Sequence, residues 1–318
     1  MINLALQIML MALMSFFITY IVCDLLIRKG GVLVAHIKPE LMDEQEEKQG
    51  TPNIGGVAML AGILAPVFLF IGLTPEIQFA LLALVLFSLL GFLDDVLKTK
   101  TVNGDGISPK KKLLLQFACA FVLVAFGGTK GLLHTGFAWL DAIPWLQTAV
   151  LVFLLVYFVN AFNISDGLDG LAVNLMFPIL AFFFLAMLMV PQMKQLLLLL
   201  LAVFVACLAF LVFNHYPARC FMGDCGSMGL GAMLFVLSVI FNVVPFFLVA
   251  TLMFSIELFS SLVQIIAIRL FHRKVFSIAP VHHMYQKMGQ DEDTIVRRFT
   301  MYSTLFSIVA LLVYLCLI

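Results

Sequence analysis

The chain has 318 residues, 63% of them hydrophobic and 11% charged, with a mean hydropathy of +1.13 and 18 basic side chains balanced by 18 acidic ones. A soluble domain carries about 25% charged residues, so this chain has too little polar surface for water and is read as a protein solvated largely by lipid. Zero net charge gives no bulk electrostatic reason to expect nucleic acid as a partner, and the bilayer takes that place.

Apolar runs close to the ~20 residues that cross ~30 Å of hydrocarbon recur from end to end. In chain order they predict spans near residues 2–27, 54–73, 77–93, 113–128, 146–163, 171–190, 195–213, 227–243, 247–270 and 299–318. The tight connections near Pro75, Pro191 and Pro245 separate neighbours that could otherwise be read as one helix. The first run lacks a basic start, is too long for a signal-peptide core and ends in Arg28-Lys29-Gly30, so it reads as a retained helix. The expectation is an all-α membrane protein, a single polytopic domain over 1–318 with about ten transmembrane helices.

With ten crossings, 16 of the 18 Lys and Arg fall in connections on one side, Lys38 and Lys48 among them, and only Lys130 and Lys194 on the other. The positive-inside rule then puts the charged connections in the cytoplasm and both termini outside. Acids follow the same partition, with only Glu76 and Asp141 in the outer connections. Asp94, Asp95, Asp166, Asp169, Asp224, His282 and His283 therefore emerge from four connections on one face, where a single site could gather them. Six cysteines without a CxxC pair lie mostly in apolar runs and read as reduced packing residues.

Four segments carry candidate chemistry. Gly91-Phe-Leu-Asp94-Asp95-Val-Leu-Lys98 ends the third span with two adjacent carboxylates, which point to different sides of a helix, and a lysine one turn later. Lys110-Lys111-Lys112 follows and could bind pyrophosphate as point charges. Asn160-Ala-Phe-Asn163-Ile-Ser-Asp166-Gly-Leu-Asp169-Gly170 packs amides, acids and glycines into a short connection, more donors and acceptors than a plain turn needs. In Phe213-Asn-His-Tyr-Pro-Ala-Arg-Cys-Phe221-Met-Gly-Asp224, the aspartate is either a helix cap or a magnesium ligand, with Phe221 a face on which uracil could stack. Ala279-Pro-Val-His282-His283 has neither a nearby cysteine nor an HExxH pattern, so phosphate contact or loop organisation fits better than zinc.

In order and spacing these segments, with Lys48-Gln-Gly-Thr51-Pro-Asn-Ile-Gly-Gly56 before them and Val296-Arg-Arg-Phe299 after, resemble the phospho-N-acetylmuramoyl-pentapeptide transferases. Those form one branch of the polyprenyl-phosphate N-acetylhexosamine-1-phosphate transferase superfamily. The resemblance runs from Lys48 to about Phe299. It implies ten transmembrane helices and a cytoplasmic active site in a bacterial inner membrane. There, undecaprenyl phosphate would attack UDP-MurNAc-pentapeptide with magnesium as cofactor, giving lipid I and UMP. It further implies Asp94 as candidate base or nucleophile, Asp95 as its partner, Asp224 as a magnesium ligand, and Asp166 with Asn163 as the polar floor of the nucleotide site and a further metal contact. Lys48, Lys98 and Lys112 would hold phosphates, Thr51 and Asp169 would touch substrate, Phe221 would stack on uracil, and His282 and His283 would face the donor. A homodimer is a family-level expectation.

The chain departs from that pattern at Asn53-Ile54 in place of Thr-Met, at Met284 in place of a third histidine, at Gln286 in place of an acid and at Gln290 in place of tryptophan. The Asn-Ala-Phe-Asn segment leans toward the branch that uses UDP-GlcNAc, while the Ala-Pro-x-His-His loop reads as the muramoyl type. An ion-coupled transporter would need acids at mid-membrane, and Glu257 is the one candidate.

Overall fold

The computed structural model describes residues 4–29, 33–34, 48–101, 105–188 and 194–317. Gly30, Lys38, Pro191, the side chain of Lys194 and the extreme ends of the first, sixth and last predicted spans lie outside the described residues. Among the described residues thirteen helices follow one another: α1 (Leu4–Lys29), α2 (Gly55–Phe70), α3 (Pro75–Lys100), α4 (Pro109–Thr129), α5 (Ala138–Asp141), α6 (Pro144–Ser165), α7 (Leu171–Leu188), α8 (Lys194–Asn214), α9 (Gly223–Ile240), α10 (Val244–Ala250), α11 (Leu252–Phe271), α12 (Val281–Lys287) and α13 (Glu292–Leu317). Among the described residues there is no sheet, only two isolated bridges, Val34 to Pro52 and Asn53 to Phe221. All six cysteines are free thiols.

Nine of these helices are long and apolar enough to cross a membrane, and α2, with 16 residues, is a shorter apolar helix. The protein is thus an all-α, multi-span membrane protein. Its helices overrun the predicted spans at one end. Residues 77–93 were expected to cross, yet α3 continues to Lys100, α4 begins at Pro109 before the apolar run, and α9 begins at Gly223. Asp94, Asp95, Lys98, Lys112 and Asp224 therefore ride on the last and first turns of helices, whereas Lys48, Asp166 and Asp169 lie in the connections. The ninth span differs more: it breaks at Thr251 into α10 and α11, with the Thr251 hydroxyl bonding back to the Phe247 carbonyl.

Helix starts follow local chemistry. Proline opens α3, α4 and α6, where its missing N–H costs nothing, and Thr74 caps α3 by accepting from Ile77 N. The centre of the bundle is α9, buried along nearly its whole length against α3, α6 and α2. Two glycines make that contact close. A Cβ on Gly91 would lie 2.1 Å from the Asp224 carbonyl oxygen, and one on Gly56 would lie 2.3 Å from Gly226 N. Without a hydrophobic drive between helices in lipid, such small residues let backbones approach and gain dispersion. Around α9, Phe158 meets Phe247 edge-on at 4.7 Å and Phe162 stacks on Phe254 at 5.0 Å, fixing α10 and α11 on the last turns of α6.

Candidate active site

The last two turns of α3 carry Asp94, Asp95 and Lys98, and neighbouring acids diverge as a helix requires. Asp94 turns toward α4, where Ile107 N donates to its Oδ1 at 2.5 Å and Lys112 Nζ reaches its Oδ2 at 3.0 Å. Asp95 turns toward α9 and accepts from Cys225 N at 2.9 Å and from Asn53 Nδ2 at 3.4 Å. Asp224, in the first turn of α9, is where the cluster meets. Its Oδ2 accepts from Lys98 Nζ at 2.8 Å and Lys112 Nζ at 2.5 Å, and its Oδ1 from Asn163 Nδ2 at 2.8 Å. Lys98 also pairs with Asp94 Oδ2 at 3.1 Å. Asp94 and Asp95 are each 2% exposed, so three carboxylates and two ammonium groups share a largely desolvated volume in which each charge needs its partners.

A second cluster lies beside the first. Lys48 Nζ pairs with Asp169 Oδ1 at 2.7 Å and Glu292 Oε1 at 2.5 Å, and it stands 5.9 Å from the Phe221 ring centroid. The backbone holds this region in place. Thr51 N closes a turn on the Lys48 carbonyl, Phe221 N donates to Pro52 O at 2.8 Å, and Gly55 N and Gly56 N donate to the carbonyls of Phe221 and Met222. Asn214 bridges Gly170 N and the Cys220 carbonyl, tying the α6–α7 connection to the α8–α9 connection.

Asp166, which follows the last residue of α6, feels the charges of both clusters. Burial and the charges of Asp224, Asp95 and Asp169 hold its carboxyl well above the usual carboxylate range, Lys48 opposing. Behind that loop sits His282, fully buried, its Nδ1 hydrogen-bonded to Glu257 Oε2 at 2.7 Å. Its Nε2 has no hydrogen-bond partner among the described residues and lies under Gly167, where a Cβ would stand 2.4 Å away. His282 thus supports the loop from beneath. His283 stacks edge-on against it and hydrogen-bonds Gln286 Oε1 through Nδ1 at 2.8 Å.

Burial, the His282 charge and Lys48 push the His283 imidazole down to about 3 from its ordinary 6.5. The unfolded ring takes a proton near its ordinary value and the folded ring only near the depressed one, so acid favours the unfolded chain. This contribution to stability is whole above the ordinary value and declines as the pH falls toward 3. The loss of melting temperature between pH 7 and about pH 4.5 is therefore expected to be shallower in His283→Gln than in the parent; equal slopes would refute the assignment.

The thirteen residues to which the resemblance gives a role lie in or against these clusters, whereas Lys110 and Lys111, expected to bind pyrophosphate with Lys112, are exposed at the start of α4. Three further participants stand outside the sequence reading of the site. Glu257, the mid-membrane acid, is the partner of His282; Glu292 falls between the His282-His283 loop and the Val296–Phe299 segment and belongs to neither; and Asn53 enters the sequence reading only as a departure. A buried acid inside an apolar helix was the one available signal, and it identified no partner. Among the described residues no three His, Cys, Asp or Glu side chains form a ready cation cage.

The model of glycosyl transferase family 4 matches residues 77–242, just over half of the chain, a stretch that includes Asp94, Asp95, Lys98, Lys112, Asn163, Asp166, Asp169, Phe221 and Asp224. The chain belongs to glycosyl transferase family 4. It is similar to proteins named phospho-N-acetylmuramoyl-pentapeptide-transferase. That of Wolbachia sp. subsp. Drosophila simulans is 36% identical over 274 residues, 82% of this chain and 83% of the relative. That of Thermotoga neapolitana is 36% identical over 282 residues, 88% and 90% of the two chains, and that of Caldicellulosiruptor bescii 31% over 309 residues, 94% and 95%. Against this family background the four departures acquire places. Asn53 donates to Asp95, Gln286 bonds His283, and Gln290 accepts from Arg298 Nη1 at 3.1 Å. Met284 lies part-buried on α12, and nothing in the structure explains it.

Proposed function

We propose that this glycosyl transferase family 4 member transfers phospho-MurNAc-pentapeptide from UDP-MurNAc-pentapeptide to undecaprenyl phosphate, forming lipid I and releasing UMP. The observation that carries the reading is the convergence of Asp94 and Asp224 on Lys98 and Lys112, beside Lys48 and Phe221. The names of the relatives point the same way. The charged end of the bundle faces the cytoplasm of a bacterial inner membrane in this reading, both termini lie outside, and residues 1–318 act as one catalytic domain, with a homodimer as the expected assembly.

Phosphoryl transfer asks a protein mainly for positioning and charge neutralisation. Lys98 and Lys112 neutralise the donor diphosphate, Phe221 offers a ring to uracil and Lys48 a cation beside it, and Asn163 orients Asp224. Asp94 takes the proton from the acceptor phosphate. An acceptor oxygen then attacks the β-phosphorus directly, a new P–O bond forms there, and the bond to the bridging oxygen breaks so that UMP leaves.

Magnesium usually takes one or two carboxylates and completes its shell with waters and substrate phosphates. The donor set fits that pattern. Asp224 and Asp166 would hold the ion, and the Asp166 carboxyl, held high by burial and then by three neighbouring carboxylates, stands where a cation would relieve both. When bound, magnesium would polarise the donor phosphate oxygens and offset their charge.

Purified protein in lipid nanodiscs is expected to release UMP from UDP-MurNAc-pentapeptide only when undecaprenyl phosphate is present. Chelation by EDTA is expected to cut the rate at least about 100-fold, with recovery on adding magnesium. UDP-GlcNAc run in parallel tests the donor, and a faster rate with it would overturn the muramoyl assignment. UMP release without acceptor would overturn direct attack.

A further inference from the structure

We infer that Glu292 is a positioning residue for the donor site, holding Lys48 and the Asp166–Asp169 loop in register with each other; the inference rests on the proposed UDP-sugar reading. None of the motifs includes it, and its role appears only in the assembled fold.

The local sequence explains how it gets there. In Gln290-Asp291-Glu292-Asp293-Thr294, Thr294 N donates to Asp291 Oδ2 at 2.9 Å, so Asp291 caps α13 and Glu292 is its first residue. A carboxylate in this turn is favoured by the positive end of the helix. The next acid shows what an ordinary residue does here: Asp293 points outward and pairs with exposed Arg297. Glu292 instead turns inward and is 8% exposed.

Inside, Glu292 Oε1 accepts two bonds, from Lys48 Nζ and from Asp169 N, each at 2.5 Å. Asp169 answers with both oxygens, Oδ1 to Lys48 Nζ and Oδ2 to Ala218 N at 2.8 Å. One carboxylate from the last helix thereby joins the segment before α2, the α6–α7 connection and, through Asp169, the α8–α9 connection that carries Phe221. One acid suffices to neutralise Lys48, and Asp169 already does so. The second supplies geometry: it fixes a long, rotamer-rich side chain and satisfies the Asp169 backbone donor, which no other group reaches among the described residues. Removing it should leave the charge of Lys48 compensated while freeing its position.

The test compares Glu292→Ala, Glu292→Gln and, as a control on the same turn, Asp293→Ala. Glu292→Ala is expected to raise KM for UDP-MurNAc-pentapeptide about 10-fold or more with kcat changed less than about 3-fold, because positioning acts on donor binding. Glu292→Gln, whose amide oxygen still accepts both bonds, should restore KM to within about 3-fold of the parent. A purely structural role would lower the active fraction and the melting temperature and leave KM in place, which overturns the inference. A readout independent of the reaction is acetylation of Lys48 by an N-hydroxysuccinimide ester, followed by mass spectrometry. Its rate should rise several-fold in Glu292→Ala, relative to Lys110 and Lys111, and not in Asp293→Ala. Unchanged labelling sinks the positioning role even if the donor proves to be a different one, whereas UMP release that fails in the parent sinks only the proposed reaction.

Discussion

Asp224→Asn is expected to lower kcat for UMP release about 1,000-fold while the protein still folds. The magnitude follows from the contacts. Asp224 Oδ2 is the common acceptor of Lys98 and Lys112, and asparagine keeps the Asn163 contact at Oδ1 but removes the charge that draws the two ammonium groups together. Both lysines retain Asp94, so neither is left as an unpaired buried cation and the fold survives. A preorganised charge aimed at developing charge is worth about 3–4 kcal/mol, and loss of a magnesium ligand would add to it. The check is kcat in nanodiscs alongside a melting curve. A variant that melts normally and keeps more than a tenth of the activity would remove Asp224 from the proposed chemistry.

The second large effect is expected at a residue with no side chain. In Gly91→Ala, the new methyl would sit 2.1 Å from the Asp224 carbonyl oxygen and 2.7 Å from Cys225 N, backbone atoms that cannot swing aside. Either α9 shifts away from α3 or the variant fails to pack, at a cost of about 1–3 kcal/mol. A shift of about 1 Å carries Asp224 out of line with Lys98 and Lys112, and misplacement on that scale costs about 100-fold in rate. Gly128→Ala is the matched control, because its Cβ would meet only the end of Leu133 at 3.4 Å. Similar activities for the two variants would show that the α3–α9 contact does not set the geometry of the site.

Both predictions concern features that differ in how they could be read from the sequence. The acids themselves were legible. Hydropathy marked where lipid ends, and the carboxylates, lysines and glycines gathered on one side of that boundary because charge in hydrocarbon is too costly to place at random. The ends of helices were not legible. Hydropathy measures the apolar slab, whereas a helix continues until its hydrogen-bonding pattern is interrupted, so α3 runs on to Lys100 and α9 begins as early as Gly223. The break at Thr251 was hidden for the same reason: both sides of it are equally apolar.

By itself, then, the sequence determined the solvent, the number of apolar segments to within the shortness of α2, and the inventory of groups at one face. Periodicity and the cost of burying charge act along the chain, residue by residue, and leave their mark there. Tertiary structure alone decided the pairings. Asp224 with Lys98 lies 126 residues apart in the chain, Lys48 with Glu292 244, and His282 with Glu257 25. The first of these depends on how closely α9 can approach α3, which Gly91 permits and no local pattern encodes; the others depend on where α11, α12 and α13 pack in the bundle.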